Sequence, residues 1–220
     1  MKLYKYLKNE HMKLLLEKGT LRIGTLHDYN NENKYGAMVS DATDGVKTLR
    51  GGGVFFGKEI NNHPVISQFF KVADDANNVA INFGSSGRLT VPSRNMFIFS
   101  TASKYSTELH EKWHQSEGYD SCYEIFDPDG FFKAISDVIW KSCLYLGYAP
   151  VIYTPKGGLN MRSRVANAHP ALFKGGEDFG EQCEVRAVWL PKGPVTKIDI
   201  DHRIVPIDNV EKYVRKHKIL

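Results

Sequence analysis

A glutamine and a glutamate lie two residues apart near the end of the sequence, at the start of an apolar run that covers residues 181–189. Residues i and i+2 of a β-strand share one face. A strand here would therefore point Gln182 and Glu184 into one cleft and the apolar residues that alternate with them into a core. A carboxylate beside an amide can hold a sugar hydroxyl and stabilise a developing oxocarbenium ion. The alternative is that Gln182, Glu184 and Arg186 form the solvent-facing side of a half-buried strand.

A second candidate for chemistry is the run His110-Glu111-Lys112-Trp113-His114, which matches the H-E-x-x-H pattern of zinc hydrolases. That pattern requires two histidines on one face of a helix and a third ligand further along the chain. The surrounding segment is short and polar, whereas the helix of a metalloprotease is long and apolar around the motif. A solvated helix face is therefore the favoured interpretation, zinc hydrolysis through His110 and His114 is a less favoured alternative, and no metal is expected.

The composition is that of an ordinary soluble protein. The chain has 220 residues, of which 42% are hydrophobic and 25% are charged, and its formal net charge is +4. We expect one domain over residues 1–220, because there is no linker, repeat or low-complexity tract. No apolar run approaches the roughly 20 residues that span a bilayer, and the first residues lack a signal peptide. A cytoplasmic location without a membrane partner is the expectation.

Cysteine usage and charge restrict the chemistry further. Cys122, Cys143 and Cys183 are widely spaced and odd in number, so we expect three reduced thiols. Cys183 should point away from the cleft if the strand alternates. A basic cluster at 212–218 could be a nucleic-acid patch or the solvated last turn of a helix.

The elements that must position these residues can be traced along the sequence. A strand is predicted at Leu3–Leu7, followed by a helix that Asn9 caps and that Gly19 ends. A second strand follows at 20–26, and the strand 95–101 ends in hydroxyl side chains. The other predicted elements are strands at 65–72, 79–83, 89–91, 121–126, 149–153, 195–200 and 203–205, a helix starting at Ser106 or Thr107, a helix from about 129 to 144 and a last helix capped by Asp208 or Asn209.

A long polar segment at 27–53 interrupts this pattern, and such a loop is usually functional or mobile. It carries Tyr29 and Tyr35. Each aromatic ring could stack on a ligand, and each could equally anchor the loop on the core.

Taken in order, three motifs resemble those of the ADP-ribosyltransferase superfamily. These are the strand around Lys5-Tyr6, the hydroxyl-rich end of a middle strand at Ser100-Thr101, and the late Gln182-x-Glu184. The opening strand, helix and second strand are similar to the start of nucleic-acid-modifying members of the DarT toxin type. Short anchors at Phe99-Ser100, Trp113, 119–125, 151–153 and 184–186 also resemble a widespread, poorly characterised bacterial family.

The resemblance implies a fold and an activity. The fold is α+β: a single ADP-ribosyltransferase-like split β-sandwich of two small, mostly antiparallel sheets with flanking helices. The activity is transfer of ADP-ribose from NAD to a macromolecule, with DNA or RNA as the possible acceptor. The implied setting is a bacterial or phage toxin or antiviral defence effector that an antitoxin or another protein partner accompanies.

The resemblance also assigns roles within the site. Glu184 would stabilise the ribose cation and help to activate the nucleophile, and Gln182 would position the acceptor. Ser100 and Thr101 would shape the nicotinamide-ribose pocket, while Tyr29 or Tyr35 would cover a ring of NAD.

The first motif departs from the family pattern, which has His or Arg where this chain has Lys5 with Tyr6. Lys5 can meet a phosphate as a point charge, but it lacks the bidentate fork of arginine. Arg22, on the next strand, is the candidate substitute. The departure leaves an alternative from another class, namely a non-catalytic module that binds a nucleotide or a protein on the same fold.

Overall fold

Local signals at the two ends of each element explain most of the secondary structure in the computed structural model, which describes residues 1–35, 40–73, 78–84, 86–176, 179–192 and 202–219. The helices are α1 (Asn9–Lys18), α2 (Leu26–Tyr29), α3 (Glu32–Tyr35), α4 (Lys58–Asn62), α5 (Thr107–Glu117) and α6 (Pro128–Ile139). The strands of the first half are β1 (Leu3–Leu7), β2 (Thr20–Thr25), β3 (Val46–Arg50), β4 (Val54–Phe56), β5 (Ala80–Asn82), β6 (Arg88–Pro92) and β7 (Phe97–Ala102). Those of the second half are β8 (Ser121–Ile125), β9 (Cys143–Pro150), β10 (Ile152–Thr154), β11 (Leu159–Asn160), β12 (Phe173–Gly175), β13 (Glu184–Pro191), β14 (His202–Pro206) and β15 (Val214–Lys216).

The helix α1 shows how these signals act. It ends at Gly19, whose φ of 61° is the left-handed conformation that glycine adopts without steric cost. The predicted cap at its start is wrong, since Lys8 holds that position and Asn9 is already helical. The side chain of Asp120 supplies the missing acceptor instead, taking the backbone N–H of Asn9 at 2.7 Å. The start of α1 therefore depends on a residue 111 positions away.

Among the described residues, eight strands form one sheet, in which neighbouring strands are not consecutive in the sequence. The sheet branches at β7. One edge of β7 pairs along its whole length with β13, which continues to β9. The other edge is shared: β2 pairs with β7 at Ile98 and Phe97, and β1 pairs with it at Ala102. The strands β1 and β2 therefore diverge across the middle of β7 and create a fork. The branch through β1 continues to β8 and β15, and the branch through β2 continues to β14.

The core lies on one face of this sheet, under α1 and α6. The helix α6 begins after Asp127, whose carboxylate accepts the backbone N–H of Gly130 at 3.1 Å. The apolar side of α6 packs against Trp189 of β13. The indole N–H of Trp189 donates to the hydroxyl of Ser136, which lies on α6, at 2.8 Å. Burying an apolar side chain of this size contributes about 1.5–3 kcal/mol. The buried residues that make up this core include Leu3, Leu15, Phe97, Phe99, Phe131, Phe132, Val185, Ala187 and Trp189.

The predicted α+β class is confirmed, in a compact single domain whose eight-stranded sheet is antiparallel. In the smaller sheets β10 pairs with β12, and β11 with β3, in parallel. The strands divide unequally where two small sheets were expected: beside the eight-stranded sheet, the described residues hold a three-stranded sheet and two two-stranded ones. The predicted core positions Val185, Ala187 and Trp189 are confirmed. No helix in the described ranges combines the length and apolar character needed to cross a membrane.

Several predicted elements differ from the structure. The segment 65–72 is not a strand, because the His63 ring accepts the backbone N–H groups of Val65 and Ile66 and bends the chain into a 3₁₀ turn. The helix α6 ends at Ile139 instead of continuing to 144, since β9 begins at Cys143.

At the C-terminus the predicted last helix is only the 3₁₀ turn Val210–Lys212, and the chain then forms β15. Pairing with β8 prevails there because it buries Val214. The predicted strand 195–200 lies outside the described residues.

Candidate functional site

A cavity of about 920 Å³ opens at the fork of the sheet, beside the middle of β7. Volumes of 300–1,000 Å³ are typical of ligand sites. The residues that line it come from β1, α1, β2, α2, α3, β7, α5, β8, β12, β13 and β14 and from the segments between them. They include each of the nine predicted site residues: Lys5, Tyr6, Arg22, Tyr29, Tyr35, Ser100, Thr101, Gln182 and Glu184.

Glu184 is the first residue of β13, and cationic groups hold both of its carboxylate oxygens. Arg186 donates to Oε1 from Nε at 3.0 Å and from Nη2 at 2.7 Å, and Lys174 donates to Oε2 at 3.2 Å. Burial acts to raise the pKa of Glu184, but the charges of Arg186 and Lys174 and a hydrogen bond from Ser100 hold it well below its ordinary range. The side chain is therefore a fixed anion that can stabilise a positive charge but is a poor proton acceptor.

Gln182 reaches the same place by a different route from the predicted one. It lies in the 3₁₀ helix Gly180–Gln182 and not on the strand, so strand alternation does not align it with Glu184. Cys183, with a φ of 44°, turns the chain between the two elements. Lys174 Nζ then joins the two side chains, donating to Gln182 Oε1 at 3.1 Å and to Glu184 Oε2. Gln182 and Glu184 therefore lie side by side, as predicted, but they are held together by Lys174 of β12 and not by strand alternation.

Arg186 was predicted to be a neighbour of the site or part of a solvent-facing strand side, and this is wrong. Its side chain is 1% exposed. It makes a two-pronged ion pair with Asp44, at 2.7 Å from Nη1 to Oδ1 and 3.0 Å from Nη2 to Oδ2, and it also donates to the Ala171 carbonyl oxygen. Burial raises the pKa of Asp44, and the guanidinium of Arg186 acts in the opposite direction. Two carboxylates and two cations thus form a closed, electrically neutral cluster.

Sequence reasoning missed two members of this cluster, Asp44 and Lys174. Asp44 resembled an ordinary turn residue in the polar stretch before β3. Lys174 did carry a usable signal, because it stands between the buried Phe173 and two glycines, where a charge is kept only if it has a partner.

Lys5 lies at the fork itself. Its ammonium donates to the backbone carbonyl oxygen of Ser100 at 2.7 Å, on the edge of β7 that neither β1 nor β2 covers among the described pairs. The same nitrogen lies 4.9 Å from the centroid of the Phe99 ring. Burial is the main cause that lowers the pKa of Lys5 to about 8, with Glu184 raising it and Arg22 lowering it. Lys5 therefore differs from an ordinary surface lysine.

Tyr6 and Thr101 line the cavity but use their hydroxyls within the fold. The Tyr6 hydroxyl accepts the backbone N–H of Ser106 at 2.9 Å, at the cap of α5. The Thr101 hydroxyl donates to the Val185 carbonyl oxygen at 3.0 Å, between β7 and β13. Their rings and methyl groups shape the site, whereas their polar atoms are already occupied.

Arg22, Tyr29 and Tyr35 form one cluster around the carboxylate of Asp28. Arg22 donates to Asp28 at 2.9 Å and to the Tyr35 hydroxyl at 2.7 Å, and Lys34 and Tyr35 also bond to Asp28. The rings of Tyr29 and Tyr35 lie 5.2 Å apart. Burial raises the pKa of Tyr29 to about 12. The tyrosines therefore anchor the segment and line the cavity at once, so the two interpretations of these residues are compatible.

The H-E-x-x-H run lies on α5, as its spacing predicts. The rings of His110 and His114 are stacked with centroids 6.4 Å apart, and His114 Nδ1 lies 3.2 Å from the Tyr119 carbonyl oxygen. Across the described ranges, no group of three or more His, Cys, Asp or Glu side chains is arranged to share a metal ion. The run thus lacks a third ligand among the residues whose positions are known.

Comparison of the chain with protein-family models, with curated proteins and with solved structures finds no match. The chemistry must therefore be inferred from the site itself, a largely apolar cavity that has a fixed anion at one side and several cations around it.

Proposed function

We propose that the protein is an NAD-dependent ADP-ribosyltransferase that modifies a macromolecule. The observation that carries the proposal is that nine residues selected from five separate parts of the sequence line one cavity. The cavity also has the size of a site for a large ligand.

The geometry of Glu184 supports this activity. Breaking the bond between nicotinamide and ribose leaves positive charge on the sugar, and a preorganised anion stabilises such a charge without rearranging. Arg186 and Lys174 fix the Glu184 carboxylate, so its charge is already in position when the positive charge develops on the sugar. Gln182 lies beside it to orient the acceptor. Arg22 offers a guanidinium to the phosphates, and Tyr29 and Tyr35 offer aromatic faces.

The wider setting belongs to the same proposal. We infer a nucleic-acid acceptor, a cytoplasmic location and a role as a bacterial or phage toxin or defence effector with a protein partner. The motif resemblance and the formal net charge of +4 support these inferences.

The test is release of nicotinamide from NAD, with transfer of labelled ADP-ribose to single-stranded DNA, duplex DNA, RNA or cell-extract protein. We expect wild type to release nicotinamide and label one acceptor class. Glu184→Gln keeps the shape of the side chain but removes the anion, and we expect it to lower the rate at least about 100-fold. Glu181→Gln is the matched control, because Glu181 is 72% exposed and does not line the cavity.

A non-catalytic nucleotide- or protein-binding module is the second candidate, and the occupied oxygens of Glu184 favour it. Binding of NAD by wild type in calorimetry without nicotinamide release in the presence of any acceptor class would establish the binder and overturn the enzyme. Circular dichroism of each variant verifies that the fold is retained.

A further inference from the structure

Transfer of ADP-ribose to an O–H or N–H acceptor releases a proton, and the cavity must supply a group that takes it. Glu184 is poorly suited to this task. Its two oxygens accept hydrogen bonds from Arg186 and Lys174, which hold the carboxylate in its anionic form. A general base works best when its pKa lies near the pH at which the reaction runs.

Lys5 offers the contrasting environment in the same cavity. A lysine ammonium has three N–H donors, and the described contacts give Lys5 one hydrogen-bond acceptor, the Ser100 carbonyl oxygen at 2.7 Å. The neutral amine can keep that bond and leave its lone pair free. The fork of the sheet holds the Lys5 nitrogen 4.9 Å from the centroid of the Phe99 ring.

The groups that face Lys5 come from each neighbouring strand. β2 contributes the positive charge of Arg22, and β13 contributes the negative charge of Glu184. β7 contributes the Ser100 carbonyl and the Phe99 ring, and β8 contributes Tyr123, which is paired with Lys5 in register. The two formal charges act in opposite directions, so dehydration of the amine decides the balance.

We propose that Lys5 is the general base of the transfer reaction, which rests on the proposed function and extends it. Lys5 takes the proton from the hydroxyl or N–H group of the acceptor, and the oxygen or nitrogen of that acceptor group forms a bond to the ribose C1′. The C1′–N bond to nicotinamide breaks, and its electron pair neutralises the pyridinium nitrogen. The products are the ADP-ribosylated acceptor, nicotinamide and the proton on Lys5, which then passes to solvent. Glu184 remains ionised throughout and stabilises the sugar cation.

The lowered pKa of the Lys5 amine agrees with this role. Burial lowers its pKa to about 8, so a useful fraction is neutral near neutral pH. The difference from an arginine at this position of the family motif then has a chemical consequence, since an arginine could not serve as a base.

The experiment is a pH profile of transfer at saturating NAD for wild type and Lys5→Arg. We expect the wild-type rate to rise about tenfold per pH unit below 8 and to level off above it. Lys5→Arg keeps the positive charge, so NAD binding in calorimetry should persist, but the transfer rate should fall 100-fold or more and lose its rise toward pH 8. Lys13→Arg is the matched control, because Lys13 is exposed on α1 and lies outside the cavity.

A second measurement needs no turnover. Competitive acetylation of each lysine against pH, read by mass spectrometry on the protein without NAD, reports when the Lys5 amine becomes neutral. A midpoint near 8, together with the Lys5→Arg result, supports the inference. A wild-type profile without the rise, or Lys5→Arg with unchanged rate, overturns Lys5 as base and leaves the transferase intact. Absence of nicotinamide release at every pH overturns both, whatever the acetylation midpoint.

Discussion

At the scale of single residues, Arg186 determines how the candidate site is built. A buried charge costs several kcal/mol unless partners compensate for it. Arg186 is 1% exposed and is compensated by the carboxylates of Asp44 and Glu184. Asp44 thereby ties the turn before β3 to β13 and keeps Arg186 oriented toward Glu184. The same cluster of Asp44, Glu184 and Arg186 therefore contributes to the stability of the fold and keeps Glu184 ionised.

Replacing Asp44 by asparagine tests that cluster. The variant leaves Arg186 buried with one carboxylate, and breaking a buried ion pair costs about 3–5 kcal/mol. We expect Asp44→Asn to lower the free energy of unfolding by about 3 kcal/mol, since the amide oxygen still accepts one hydrogen bond. Urea unfolding measures it. Asp137→Asn is the control, because its ion pair with Lys133 is exposed and should change stability by less than about 1 kcal/mol. Equal effects of the two variants would show that the Asp44–Arg186 pair is not important.

At the scale of elements, the sequence predicted those helix ends that depend only on neighbouring residues. Gly19 ends α1, and the Ser106 hydroxyl accepts the Leu109 N–H at 3.1 Å to cap α5, as expected. Prediction failed where a distant residue decides the outcome. The cap of α1 comes from Asp120, and the C-terminal segment forms a strand because β8 offers it an edge.

The turn at Cys183 sets the direction in which the 3₁₀ helix meets β13. Cys183 has a φ of 44° and a ψ of 43°, a left-handed conformation that costs a non-glycine residue about 1–2 kcal/mol. Its carbonyl oxygen accepts the backbone N–H and the hydroxyl of Ser103, which holds the turn against the end of β7. The strain therefore lies between Gln182 and Glu184.

A series of substitutions at Cys183 measures this strain. Cys183→Gly should raise the free energy of unfolding by up to about 1 kcal/mol, because removal of the Cβ relieves more than the added freedom of the unfolded chain costs. Cys183→Val should lower it by about 1–2 kcal/mol, because a β-branched side chain is least tolerated there. Cys183→Ala separates the thiol from the backbone and should resemble wild type in thermal unfolding. A glycine variant less stable than the alanine variant would contradict the argument.

At the scale of the whole molecule, the candidate site joins strands that are far apart in the sequence. β1 supplies Lys5, β13 supplies Glu184, and β7 brings them together at the fork. The sequence could predict the three strands and the residues on them, because those depend on local pattern. It could not predict the fork, which depends on pairing between strands far apart in the sequence, or the participation of Asp44, which lies 142 residues from Arg186.

Charges distributed over the whole molecule also set its response to acid. Burial acts to raise the pKa of Asp28, Glu124 and Glu184, but the opposite effect of their cationic partners is larger. The pKa of each carboxyl therefore lies below its ordinary value in the folded state. Burial lowers the pKa of His63 and His110 and so favours their neutral forms in the fold. Groups of both kinds bind more protons when unfolded, so stability rises with pH through their ordinary values and falls on acidification.

We therefore expect the urea midpoint to fall in two stages on acidification from about pH 7.5, first near 6.5 as histidines charge in the unfolded chain and then below about 4.5 as carboxylates protonate there. Between pH 3 and 4 the contribution of Glu184 has a slope of up to about 1.4 kcal/mol per pH unit, which Glu184→Gln should remove. Glu181→Gln, at a mostly exposed position, should keep the wild-type slope. Parallel curves for Glu184→Gln and wild type would mean that Glu184 protonates alike in the folded and unfolded chains, and the fixed anion on which the proposed chemistry depends would then be absent.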